Sequence, residues 1–459
     1  MQPARCSRTR RVRLIGEFDM LQEAYLMNVE GRAPDTRNPA MAGGAVQPWA
    51  DAPAYVLIVD LLAMFAAVAL PWSATVTTVL MVGWSIAVIP TIDWDELIRS
   101  LALPACALPL ALFVLADIGV LWSDGPWEFG LQAVNPVSKL LLLPLLLQHF
   151  RRSDRVLWVL IGFVLSSAIM MMLSWVALAD PSTLTAALPV EQALGRHQPF
   201  TLCALALVGP ALVGYLRGQT GAAFALAGLG ALFFSHELLV TPAQTICIAI
   251  TTLMLVLAIR HLSRRLAMLL LGAAAVTGSV AWAASPLLSR PIVQNVVQHH
   301  LTLSGGGAME GRPDWRRTMA SLAEAPLLGH GTGAMRPPFA ADARPPQQMR
   351  GTGHDVQTQS LYVAWQWGLV GLVLLGAMWI GHIRLVRGRD GIAWVGLTIV
   401  VQTCVGSLVS GNVFGVNEGW VYVIGLGAAG GVALRRRVGD PDKASAIVAD
   451  ADLPVGSVF

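Results

Sequence analysis

Long apolar runs alternate with short polar connections along almost the whole chain. Runs at 54–70, 73–90, 99–121, 132–149, 156–178, 199–216, 221–235, 238–259, 266–287, 358–382, 391–410 and 416–434 approach or exceed the roughly 20 mostly apolar residues that a helix needs to cross a bilayer. They are continuous, not alternating, which excludes a β-barrel. The pattern predicts an all-α fold, a polytopic transmembrane helical bundle of about 12 spans. Only Pro71, Trp72 and Ser73 separate the first two runs. The seventh is short, and His236 and Glu237 at its end read as a connection.

The remaining polar sequence divides the chain. Residues 1–50 mix Arg8, Arg10, Arg11 and Arg13 with acids and then become Pro/Gly-rich. They read as a disordered tail, or as an upstream extension with Met20, Met27 or Met41 as the start. Residues 51–287 hold spans 1–9 and 288–356 form one polar island. Residues 357–437 hold spans 10–12, and 438–459 are a polar tail.

Basic residues orient the bundle. Arg151, Arg152 and Arg155, then Arg217, then Arg260, Arg264 and Arg265, then Arg384, Arg387 and Arg389 occupy alternate connections, and Arg435, Arg436 and Arg437 follow the last span. Short loops rich in arginine stay cytoplasmic, so both termini are expected inside and the island outside. The one acidic connection on the arginine side, with Asp93, Asp95 and Glu96, is a weak exception.

Composition agrees with the membrane class: 55% of the 459 residues are hydrophobic and 13% charged, against roughly 25% charged in soluble domains. The five cysteines all lie outside the island, which excludes a disulfide staple there and leaves no Cys/His zinc spacing. Glycines at 331–333 lack a strand–turn–helix setting for a phosphate loop. No cofactor, metal site or nucleic-acid partner is expected.

The island concentrates the candidate chemistry. It holds Arg290, Arg312, Arg316, Arg317, Arg336, Arg344 and Arg350, no lysine, and His299, His300, His330 and His354. Arginine presents a fork that grips oxyanions in a bidentate way, and histidine takes protons near neutral pH. An outward site with no nucleotide signature needs a donor already activated in the membrane. A lipid diphosphate, with its good leaving group, meets that need. The bland alternative is a solvated arginine-rich loop.

Three stretches resemble the O-antigen ligase and O-antigen polymerase superfamily of bacterial membrane glycosyltransferases. LWSDGP (121–126) is similar to the family's WS-containing segment. GRPDWRRTMASLAEAPLLGHGTG (311–333) resembles its pattern of Gly-Arg, a Trp three residues on, a short helix and Pro-Leu-Leu-Gly-x-Gly. QTQSLYVAWQWGLVGLVLL (357–375) resembles the segment in which a His-Asn pair precedes a span. The large, partly helical periplasmic loop between spans 9 and 10 fits as well. The resemblance implies an inner-membrane enzyme with an undecaprenyl-diphosphate-linked oligosaccharide donor and a glycan or lipid A core acceptor. It leaves polymerase and ligase both open. The ungapped match puts Gln357 where the family usually has its histidine, and Gln244 where it often has an arginine.

Arg312 matches the family arginine, and the resemblance implies that it holds the donor diphosphate. Pro313 suits the first turn of a helix whose N-terminus adds positive potential. Loop capping, or pairing with Asp314 or Glu310, is the alternative. Arg316 lies one helical turn on. Arg196, at the outer mouth of span six, is a candidate for the second phosphate. Lys139, inside the fourth span, is a further anion contact unless it snorkels or pairs. His354 is the candidate general base, and Gln357 is a candidate substrate contact. His330 reads as structural. A transporter or flippase for a lipid-linked glycan is the competing class.

Overall fold

The structure is a computed structural model, and it describes residues 52–179, 198–240, 243–261, 322–334, 359–388, 390–408 and 415–438. Within them lie thirteen α-helices: α1 (Pro53–Ala69), α2 (Ala74–Val88), α3 (Trp94–Ser100), α4 (Pro104–Ile118), α5 (Trp127–Ser138), α6 (Leu142–Arg152), α7 (Val156–Ala179), α8 (Gln198–Leu216), α9 (Thr220–Val240), α10 (Ala243–His261), α11 (Gln359–Leu385), α12 (Gly391–Gly406) and α13 (Val416–Val438). There are no strands among the described residues. Seven helical stretches are long and apolar enough to cross a membrane, and Pro53–Ala69, Ile248–Arg260 and Gly391–Gly406 are shorter apolar helices. The expected ninth span, 266–287, lies outside the described residues, as does most of the polar island.

Several boundaries differ from the hydropathy reading. The run 99–121 divides: α3 is a short polar helix capped by Asp93, whose carboxylate accepts from the Glu96 N–H at 3.1 Å, and α4 restarts at Pro104. Pro suits a first turn because its missing N–H has no partner there in any helix. The fourth run is continuous from Trp127 to Arg152, with a 3₁₀ turn at Lys139–Leu141 that separates α5 from α6. The seventh run is not short. His236 and Glu237, read as a connection, lie inside α9 and are 0% and 2% exposed. The His236 ring reaches Ser174 of α7 at 3.0 Å and meets Phe200 and Trp175 edge-on. Side-chain partners on neighbouring helices let polar residues continue a buried helix.

Packing is tightest where side chains are smallest. α13 lies against α6 and α11 against α4. A Cβ at Gly427, Gly430 or Gly431 would meet Leu146, Leu147 or Phe150 of α6 at 2.5–2.7 Å. Small faces of this kind let membrane helices approach to backbone contact.

The arginine-bearing connections gather at one end of the bundle. Arg151 and Arg152 of α6 each reach Glu96 of α3 at 2.5 Å. The acidic connection that stood as an exception is therefore the counter-charge of its arginine-rich neighbour. Arg435 pairs with Asp154, and Arg436 with Asp390. Arg260 donates to the Asp390 carbonyl at 2.9 Å, and Arg437 to the Arg384 carbonyl at 2.6 Å. Burial alone would raise the Asp390 carboxyl. Arg436 and the backbone N–H of Ala393, at the start of α12, hold it below its ordinary value.

Asp60 is the deepest member of this layer, 2% exposed. It accepts from His149 Nε2 at 2.8 Å, Ser153 Oγ at 2.7 Å and Arg155 at 2.8 Å. One carboxylate so joins α1 to the end of α6 and the start of α7. Asp60→Ala would leave a buried imidazole and a guanidinium without their acceptor. We expect it to lower stability by about 3 kcal/mol, in the range for breaking a buried pair, read as the unfolding midpoint in detergent. Asp154→Ala removes the partner of Arg435, and its side chain is 91% exposed. It should cost far less, because water already solvates that pair. Equal losses would reduce the Asp60 cluster to a surface contact.

Candidate functional site

At the end opposite the arginine layer, α11 is broken. Gly368 takes φ +57° and ψ −151° within it, a conformation that L side chains rarely adopt. In an unbroken helix the Leu369 and Val370 N–H groups would pair with the Trp365 and Gln366 carbonyls. Here all four groups turn to the segment 326–331. Leu369 N–H donates to the Pro326 carbonyl at 2.9 Å and Val370 N–H to the Leu327 carbonyl at 3.2 Å. In return, the Trp365 carbonyl accepts from His330 N–H and the Gln366 carbonyl from Gly331 N–H, each at 2.9 Å. All four of these main-chain groups are paired, as an apolar interior demands.

The glycines of Pro-Leu-Leu-Gly-His-Gly-Thr-Gly make this clasp possible. Gly329, Gly331 and Gly333 all have positive φ, of 66°, 91° and 76°. A Cβ on Gly331 would stand 2.6 Å from Ser123 Cα. Thr332, fully buried, then ties in a third strand of sequence. Its N–H donates to the Gly119 carbonyl at 2.9 Å. Its hydroxyl donates to the Ala116 carbonyl at 2.6 Å and accepts from Trp367 Nε1 at 2.7 Å. The Ala116 carbonyl is available because α4 tightens into a 3₁₀ turn at Gly119–Trp122. That turn opens LWSDGP, and Ser123 Oγ accepts from Gly125 N–H at 3.3 Å. Trp122 Nε1 is buried there without a hydrogen-bond partner among the described residues.

Segments 119–125, 326–334 and 365–370, far apart in sequence, thus form one backbone-built junction. The His330 ring lies beside Trp365, with centroids 5.5 Å apart, in keeping with a structural part. The start of α11 also joins the end of α12, where Ser360 N–H donates to the Ser407 carbonyl at 3.2 Å.

Lys139 is the one sequence-predicted site residue within the described residues. Its Nζ donates to the Gly415 carbonyl at 2.9 Å and lies 5.7 Å from the centre of the Trp420 ring. Trp420 in turn donates to Thr78 Oγ1 at 2.8 Å. The ammonium therefore pairs within the bundle, between the turn that ends α5 and the residues that open α13. Arg312, Arg316, Arg196, His354 and Gln357 lie outside the described residues. So the structure brings together the motif segments but not the proposed anion contacts and base.

Two polar groupings escaped the sequence reading: the Asp60–His149–Ser153–Arg155 cluster and the His236–Ser174 pair. Asp60 lies 89 to 95 residues from its partners and Ser174 lies 62 from His236, so no spacing rule links them. The one available signal was a charged residue inside an apolar run. Among the described residues, no three His, Cys, Asp or Glu side chains are placed to hold a metal ion.

No model of a known protein family matches the chain, and no curated protein does.

Gly331→Ala tests the junction. The added Cβ meets both an unfavourable φ and the Ser123 backbone. The variant should lose about 2 kcal/mol or more, seen as a lower unfolding midpoint and poor recovery by size exclusion. Gly376→Ala, further along α11 with nothing within 4 Å of the new Cβ, should be neutral or gain up to about 1 kcal/mol. If both behave alike, the clasp does not hold the fold.

Proposed function

We propose that the protein is a bacterial inner-membrane glycosyltransferase with about 12 spans, cytoplasmic termini and a periplasmic loop at 288–356. It transfers glycan from an undecaprenyl-diphosphate-linked donor to a hydroxyl acceptor, as a polysaccharide polymerase or an O-antigen ligase. The observation that carries this reading is the clasp. Three stretches singled out by resemblance meet at one end of the bundle, and the arginine layer lies at the other. Gln357 stands two residues before the first residue of α11, and Arg312 ten residues before Leu322, and from those two described residues the chain leads in sequence toward the clasp.

In this mechanism Arg312, supported by Arg316 and Arg196, holds the diphosphate and stabilises the charge that grows on it as the glycosyl bond breaks. His354 takes the proton of the acceptor hydroxyl as that oxygen attacks the anomeric carbon. Gln357 orients the acceptor, since an amide does not accept a proton at neutral pH. Lys139 supports the outer end of the bundle through Gly415 and Trp420. A transporter or flippase for a lipid-linked glycan is the second reading. A broken span whose freed backbone is satisfied by a neighbouring segment is also how such proteins are built.

Transfer by purified protein from a lipid-linked donor separates these. His354→Ala should slow transfer by roughly 100- to 10,000-fold, the range for a positioned general base, with donor binding retained. Gln357→Ala should cost much less. Arg312→Lys should lose most activity despite keeping the charge, because a point charge does not reproduce a bidentate fork. A silent His354→Ala beside a dead Gln357→Ala would overturn the base assignment. No transfer by wild type, together with movement of lipid-linked glycan across vesicles, would favour the flippase.

Orientation is tested separately. A reporter fused near Gly306 or Arg344 should read as periplasmic, and one after Arg436 as cytoplasmic. The opposite pair of readings would put the proposed chemistry on the wrong face.

A further inference from the structure

Beside the Asp60 cluster lies a cavity of about 210 Å³, between α1, the end of α2 and α6. It has an apolar wall and a polar floor. Val56, Val88 and Leu145 form the wall, while Gln148 and His149 supply the floor and Arg152 a charged edge. Gln148 is 6% exposed. Its amide nitrogen donates to the Asp93 carbonyl at 2.9 Å, which fixes the orientation of the amide. Its Oε1 is buried with no hydrogen-bond partner among the described residues. A buried acceptor left unpaired costs free energy, so a guest that donates to it would be favoured there.

Beside Gln148, His149 Nε2 donates to the Asp60 carboxylate at 2.8 Å. The Gln148 oxygen is an acceptor, so a guest must bring a donor. Charge narrows the choice. Arg152 is engaged by Glu96 at 2.5 Å and Asp93 at 3.5 Å, and Asp60 by Arg155 at 2.8 Å. With each nearby charge already opposed, an ionic guest would find no uncommitted counter-charge and would pay desolvation. A neutral hydroxyl group suits the floor.

The wall and its setting indicate how the guest arrives. The segments that bear the lining residues also expose Ile58 and Ile89, and the adjoining α3 exposes Trp94 and Ile98, the kind of apolar surface that meets lipid at the end of a span. We propose that this cavity binds the uncharged, hydroxyl-bearing head of an amphiphile, with a hydroxyl donated to Gln148 and the start of its chain against Val56, Val88 and Leu145. The volume holds a glycerol-sized head and a few methylenes, not a whole lipid. This site lies at the end of the bundle opposite the clasp, and it stands whether or not the protein transfers glycan.

The test uses the full chain, purified in a zwitterionic detergent whose headgroup carries no hydroxyl. The probes are a monoacylglycerol, the methyl ester of the same fatty acid and free glycerol. The unfolding midpoint is followed against probe concentration, with native mass spectrometry to count bound molecules. The monoacylglycerol should raise the midpoint saturably with one molecule bound, and the methyl ester should need about tenfold more for the same shift. Gln148→Leu should erase that difference. Val56→Phe fills the cavity without touching a polar group, and it should abolish the shift even if Gln148→Leu fails to fold. An equally potent methyl ester, or an unchanged shift in Val56→Phe, would mean general partitioning and overturn the site. Free glycerol acting at the same concentration as the monoacylglycerol would overturn the amphiphile in favour of a soluble polyol.

Discussion

The exchange of four main-chain hydrogen bonds around Gly368 is the constraint from which the junction follows. A helix in an apolar medium cannot simply stop pairing, because each orphaned N–H or carbonyl costs several kcal/mol. α11 breaks at Gly368 only because Pro326, Leu327, His330 and Gly331 supply two acceptors and two donors at the matching spacing. The break and the Pro-Leu-Leu-Gly-His-Gly segment are therefore one structural unit. Remove either and the other has unsatisfied backbone. Thr332 extends the unit to α4, whose last carbonyls would otherwise also lack partners.

The opposite end is held by a different physics. There the partners are side chains, and the bonds are ion pairs and charge-assisted hydrogen bonds. Most of those arginines remain partly exposed, so any single surface pair contributes little. Asp60 differs because it is buried and carries three donors from two other helices or their connection. Acids and arginines balance locally, with Glu96 against Arg151 and Arg152 and Asp390 against Arg436. Arginine remains in excess at this end, with Arg260 and Arg437 held by main-chain carbonyls instead of carboxylates.

How much of this was legible depended on whether local pattern or distant contact decides the outcome. Continuous apolar runs gave the all-helical, membrane-type fold because span length is a local property of sequence. The run 99–121 became a span from Pro104 to Trp122. Hydropathy set its start about five residues early because it does not see the end of α3 or the proline that opens α4. α9 was cut short at His236 because a histidine and a glutamate look like a loop until Ser174, on another helix, is brought to them. The sequence could not name the partner of Lys139, because the Gly415 carbonyl that accepts from it lies 276 residues away. At the candidate site the motif glycines were visible in sequence. That they complete a broken span was not, because the four bonds join residues 35 or 43 positions apart.

A junction made from backbone has a consequence for how a site on it behaves. Its geometry depends on φ, on hydrogen-bond spacing and on the lack of Cβ atoms at a few points. It depends little on the identity of side chains such as Leu327 and Leu328, which are 63% and 52% exposed. The chain can therefore vary what it displays around the clasp without moving the clasp itself. Elements that enter it, at Leu322 from the island and at Gln359 from the segment bearing His354, start from fixed points. Four main-chain hydrogen bonds and the close approach at Gly331 fix those points by backbone geometry, whereas partly exposed ion pairs such as Arg435 with Asp154 let their side chains move.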